Sequence, residues 1–178
     1  PIWSKLGLIM IVPTLATIVV GTNGLLDNLD TATSADRTRI LSVLVKESGT
    51  LVDELQNERA TAAMLLGAGD DSTRKTAAAS YELIAKQVEE AKRPYAQQRG
   101  ALVDVDVSMR DLLERIDEGL QNLPSVRDQV KDRKIRQSDA ALRYQVLIGD
   151  LLKIRDRAAQ IAGGGELGDG LRAAGAIA

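Results

Sequence analysis

The chain contains no cysteine and no histidine. The first absence excludes a disulfide framework, a thiolate metal site and a thiol nucleophile. The second removes the commonest general base and the commonest metal ligand. Phenylalanine is missing as well, and Trp3, Tyr81, Tyr95 and Tyr144 are the whole aromatic complement. A phosphate-cradling loop is also lacking: Gly163, Gly164 and Gly165 are not followed by the Lys and Ser/Thr that a P-loop needs. No catalytic residue, metal site or cofactor is therefore expected in these 178 residues. The net charge of −2 argues against nucleic acid as partner, which calls for a concentrated basic face. A core built from Ala, Leu, Val and Ile without large rings suits closely packed helices, at a length that suits one domain plus appendages.

Residues 6–20, LGLIMIVPTLATIVV, carry no charge, and the uncharged run continues to Leu26. Such a run is long enough to cross a bilayer core of about 30 Å, and Pro13 is tolerable in a membrane helix. Trp3 and Lys5 stand where an interfacial aromatic and an inside-facing cation belong, and Asp27 and Asp30 follow on the other side. The predicted topology places the amino terminus in the cytoplasm, residues 1–30 as transmembrane anchor and exit, and residues 31–178 outside the plasma membrane. Two other readings of the run are a secretory signal peptide, with a weak cleavage candidate at residues 32–35, and a buried core helix.

Residues 34–67 read as one long helix. Leu41, Leu44, Ser48, Leu51, Leu55, Glu58, Ala62 and Leu65 recur at steps of three and four. Ser48 and Glu58 are polar on this seam, as register devices or as part of a site. A neighbouring stripe holds Val52, Leu55, Arg59, Ala62 and Leu66, with Arg59 as its one charge. A guanidinium stays ionised and has five donors to satisfy. Arg59 thus either meets an anion or polar partner, or lies at the stripe's edge and reaches water. Glu58 is adjacent in sequence, but neighbouring helix positions point about 100° apart.

Gly67 and Gly69 end this helix, and Asp70, Asp71 and Ser72 supply the cap and first-turn acids of the next. Ala77, Tyr81, Ile84, Val88, Ala91 and Tyr95 form its seam; Pro94 is expected to end or kink it, with a break at residues 97–100. A third helix is expected over residues 103–120, then a connector at 123–126 and a solvated cationic connector at 130–137. Ser138 is expected to cap the fourth helix, whose seam is Ala140, Tyr144, Leu147, Leu151, Ile154, Ala158 and Ile161. Arg155 flanks that seam and is a candidate second clamp for an anion. Residues 171–178 look like the opening of a further helix.

LQNERATAAMLLG, residues 55–67, resembles the first-helix signature of the nitrate- and nitrite-sensing (NIT) domain, whose usual form is LQ, any residue, ERG. The matching positions are Leu55, Gln56, Glu58 and Arg59, with Ala60 where the family usually has Gly. The connector followed by YQVLIGDLL, residues 144–152, is similar to the middle of such domains. The resemblance implies that Arg59 helps to bind the anion, with Gln56 and Glu58 beside it; the family's second functional arginine lies on a later helix, beyond Ala178. The lead SKLGLIMIVPTLATIVV resembles that of actinobacterial membrane sensor histidine kinases, which implies a kinase region elsewhere in the protein and a homodimer. The expected fold is all-α, an antiparallel helical bundle with a long first helix, preceded by one transmembrane helix and truncated before its last helices. The expected function is an extracytoplasmic sensor that binds nitrate or nitrite between helices and signals by helix displacement. The alternatives are a tethered dimerisation or docking module without a small ligand, and a chemoreceptor-type sensor for another ligand.

Overall fold

The computed structural model describes residues 36, 38–103 and 105–163. The chain divides into two compact units, Pro1–Arg39 and Ile40–Ala178; the contacts below belong to the second. The expected membrane anchor, and the further helix expected at residues 171–178, lie outside the described residues. Among the described residues, no helix is long and apolar enough to cross a membrane.

Four helices and no strand are present among the described residues: α1 (38–67), α2 (Asp71–Ala101), α3 (Val107–Lys131) and α4 (Gln137–Gly163). The long seam of α1 is buried at every position from Leu41 to Leu65, including both polar residues. Ser48 meets its polar requirement within the helix, its hydroxyl donating to the Leu44 carbonyl at 2.6 Å. α1 stops at Gly67, as expected, and Asp70 caps α2 by accepting from the amides of Ser72 and Thr73 at 3.0 and 2.9 Å. Those bonds, that from Thr73 foremost, hold the Asp70 carboxyl below the usual range.

Two expected breaks are absent. α2 continues through Pro94 to Ala101, and α3 runs from Val107 through Pro124 to Lys131, so neither the break at 97–100 nor the connector at 123–126 exists. An internal proline removes one hydrogen bond and costs about 3 kcal/mol in an isolated helix. Here the apolar rows persist on both sides: Ala91 and Tyr95 in α2, and Leu120, Leu123, Val126 and Val130 in α3, are all buried. Packing outweighs propensity. α3 also starts later than expected, because Asp106 caps it by accepting from the Met109 amide at 2.8 Å. Ser138 sits inside the first turn of α4 and does not cap it; the amides of Asp139 and Ala140 bond the Arg136 carbonyl at 3.1 and 3.0 Å.

The expected connector at 130–137 is shorter than its cationic composition suggested, since Val130 and Lys131 still belong to α3. The turn closes with Lys134 N–H on the Gln129 carbonyl at 2.8 Å and Arg133 N–H on Val130 at 3.1 Å. This is the Schellman pattern, with Arg133 at the left-handed position, φ 56°. An L side chain pays about 1–2 kcal/mol there, which glycine avoids. Arg133→Gly is expected to raise stability by about 1 kcal/mol, read as a higher urea midpoint at unchanged slope. A lower midpoint would mean that the bond from Arg133 to the Leu66 carbonyl, at 3.3 Å, contributes more than the backbone strain costs.

Cross-helix pairs set the directions. Between α2 and α3, Glu82 pairs with Lys131, Glu89 with Arg127 and Asp117 with Arg99, so numbers rise on one helix as they fall on the other. Arg115–Asp150 joins α3 to α4, and Glu58–Tyr144 and Arg59–Gln145 join α1 to α4, with Leu66 meeting Arg133 just before α4 begins. Successive helices therefore alternate in direction. At Gly119 in α3, an added Cβ would stand 2.8 Å from the Leu147 Cδ1 of α4, so a glycine lets these two helices close up.

Candidate functional site

The seam that buries Leu55 and Ala62 also buries Glu58, whose carboxylate is fully removed from solvent. A buried charge of this kind demands a partner and further hydrogen bonds. Arg127 supplies them from α3, where it stands between Leu123 and Val130 on that helix's own seam. Its Nε donates to Glu58 Oε1 at 2.7 Å and its Nη2 to Oε2 at 2.9 Å, a bidentate fork. The third side of the guanidinium donates through Nη1 to Glu89 Oε1 on α2, at 2.6 Å. Lys92, one turn on, donates to both oxygens of Glu89 at 3.1 Å.

Two tyrosines complete the arrangement. The Tyr144 hydroxyl of α4 donates to Glu58 Oε1 at 2.9 Å. Having spent its one proton, it accepts from the Tyr81 hydroxyl of α2 at 3.0 Å. All four helices thus meet at one polar node. Its charges balance: Glu58 and Glu89 against Arg127 and Lys92.

Burial works against ionisation at Arg127, Glu89, Tyr81 and Tyr144; hydrogen bonds and opposite charges outweigh it at the first two, and burial prevails at the tyrosines. Burial would lower the Arg127 guanidinium, but the bonds and charges of Glu58 and Glu89 outweigh it and raise it further. Burial would raise the Glu89 carboxyl, yet hydrogen bonds from Arg127 and Lys92 hold it below the usual range. The Tyr144 phenol is pushed up by burial first and then by the Glu58 charge, and Tyr81 chiefly by burial. Both phenols stay protonated and serve as donors. Among the described residues no group of carboxylates gathers that could hold a metal ion.

The residues singled out from the sequence are placed in three different settings. Glu58 is inside the node, paired not with its neighbour Arg59 but with Arg127. Arg59 lies at the edge of its stripe, half-buried, with Nη1 donating to the Gln145 Oε1 of α4. Among the described residues that neutral amide is its one hydrogen-bond partner. Gln56 is exposed, one turn before Arg59 on the same face. Arg155 is exposed and stands 3.7 Å from Asp156. It lies ten residues beyond Gln145 on α4, about 15 Å along the helix axis, so the structure does not bring it to Arg59. Arg127, Tyr81, Glu89 and Gln145 were not anticipated as site residues. For Arg127 a signal existed: Ile116, Leu120, Leu123, Arg127 and Val130 step four-three-four-three, with one charge among apolar residues.

No curated protein and no solved structure compared with the chain gives a match. The family model for nitrate and nitrite sensing matches residues 50–178, a span that contains the Glu58 node, Arg59 and Gln145. On that match, the chain belongs to the nitrate- and nitrite-sensing (NIT) family.

Proposed function

We propose that this chain is the sensory part of a membrane receptor and binds nitrate or nitrite at Arg59, on the edge between α1 and α4. The observation that carries this reading is the contrast between the two interhelical arginines. Arg127 is paired with two carboxylates. Arg59, the motif arginine, meets only a neutral amide among the described residues and keeps unspent donors. Nitrate is planar with delocalised charge, and a guanidinium offers two parallel bonds to two of its oxygens. Gln145 gives its carbonyl oxygen to Arg59, which leaves its amide N–H₂ as a further donor, and Gln56 is one turn away.

The anion's charge would replace the weaker pull of Gln145 on Arg59. That exchange occurs one residue from Glu58 on α1 and one residue from Tyr144 on α4, the two sides of the buried node. A shift there displaces α1 against α4 and is the signal in this reading. The receptor context is an amino-terminal membrane helix, an extracytoplasmic sensor, a homodimer and a histidine kinase output.

The test is thermal unfolding of the 178-residue chain in nitrate, nitrite, chloride and sulfate at equal ionic strength. A ligand at about a hundred times its dissociation constant adds about 2.7 kcal/mol, a shift of several degrees. The shift is expected for nitrate or nitrite alone, to vanish in Arg59→Ala, and to shrink in Arg59→Lys, which keeps the charge without the fork. An undiminished shift in Arg59→Ala would sink the assignment. No shift with any anion would leave the helical interaction module as the better reading.

A further inference from the structure

Between α2 and α3 a groove of about 500 Å³ opens to solvent, lined by three acids, Glu82, Glu89 and Glu90, and four cations, Lys86, Arg93, Arg127 and Lys131, with Ala85 between. Arg127 divides its donors there between two carboxylates of different standing. Glu58 is fully buried and takes Nε and Nη2. Glu89 takes Nη1 from the groove side, and its side chain is 45 % exposed. If Glu89 leaves Arg127 it does not lose its only cation, because Lys92 holds both its oxygens at 3.1 Å. Lys86 and Arg93, three residues before and four after Glu89, share its helix face. Among the described residues neither has an ion-pair partner. Glu89 therefore sits on Arg127 as a tethered ligand would, in a groove larger than its own carboxylate fills.

We propose that this groove is a binding site for a small carboxylate, whose head group takes Arg127 Nη1 in exchange for Glu89. A second acid group, where the ligand has one, reaches Lys86 or Arg93. The exchange replaces one carboxylate with another, so the buried Glu58–Arg127 pair keeps the charge balance it has now. A neutral ligand would leave Arg127 Nη1 without a charged acceptor. A phosphate dianion would concentrate on Arg127 more charge than Glu89 supplies, whereas a dicarboxylate presents one unit there and carries its second away toward Lys86 or Arg93. Nitrate is a weaker acceptor than a carboxylate and does not displace one. The site lies in the α2–α3 groove, whereas Arg59 bonds across to α4, so it stands or falls independently of the nitrate reading.

The experiment is calorimetric titration of the 178-residue chain with acetate and with succinate, ionic strength held by chloride. Succinate is expected to bind saturably, and Glu89→Ala to bind it about tenfold more tightly, since the tethered competitor is gone. Lys86→Ala with Arg93→Ala weakens succinate and leaves acetate unchanged. Arg59→Ala binds both as the wild type does. In Glu58→Leu/Arg127→Met, which removes the cation and its buried partner together, binding is lost; Arg127→Lys, which keeps a charge but lacks Nη1, weakens it about tenfold. No saturable binding in either the wild type or Glu89→Ala overturns the proposal, as does equal affinity in the two. Binding that survives in both Arg127 variants overturns it too.

Discussion

Arg127→Met is expected to lower the unfolding free energy by about 3–5 kcal/mol, the usual cost of stranding one member of a buried ion pair. The cost is not the lost attraction alone. Glu58 is fully enclosed, and without the guanidinium its carboxylate keeps the neutral Tyr144 hydroxyl as donor but no cation among the described residues. Removing both charges in Glu58→Leu/Arg127→Met should cost clearly less, although it leaves the Tyr144 hydroxyl without its acceptor, at about 1–3 kcal/mol. That inversion, with the double variant more stable than the single, is the signature of desolvation. Urea unfolding at constant slope reads both values. A single substitution costing under about 1 kcal/mol would mean that water reaches Glu58, and the node would then be an ordinary surface pair.

The same pair marks the boundary of what the sequence discloses. The α1 seam is legible in full, Ser48 and Glu58 included, because helical periodicity is local and every position from Leu41 to Leu65 obeys it. The α4 seam and the Asp70 cap are legible for the same reason. Pro94 and Pro124 misled, since a proline signals a local cost while the burial that overrides it comes from other helices. A helix ended before Pro124 hides Arg127, which then falls between two connectors instead of on a continuous seam. The partner choice was less accessible still. Glu58 and Arg127 are 69 positions apart, and sequence proximity favoured Arg59, which helix geometry directs elsewhere. Arg59 itself is legible through its motif position; its contact with Gln145 on α4 is not, because neither segment alone discloses it.

Alkaline pH is expected to unfold the domain steeply, because its three tyrosines are buried and all are pushed above the ordinary phenol value near 10. For Tyr144 the causes are burial and then the Glu58 charge; for Tyr95, burial and then Asp117. A group whose folded value is raised contributes stability that is complete below the unfolded value and is lost as pH climbs toward the folded one. Each phenol ionised only in the unfolded chain removes up to about 1.4 kcal/mol per pH unit, so three remove about 4. A domain with about 5–15 kcal/mol in hand then fails within a few units above pH 10. Tyrosinate absorbance and helical dichroism should therefore change together; phenols that ionise near pH 10 in a still-helical chain would contradict the burial argument. Tyr95→Phe isolates one of the three. Among the described residues its hydroxyl has no hydrogen-bond partner, so its removal should raise stability at neutral pH by about 1 kcal/mol. It should also cut the alkaline slope by about a third, leaving the Tyr81–Tyr144–Glu58 chain to supply the rest.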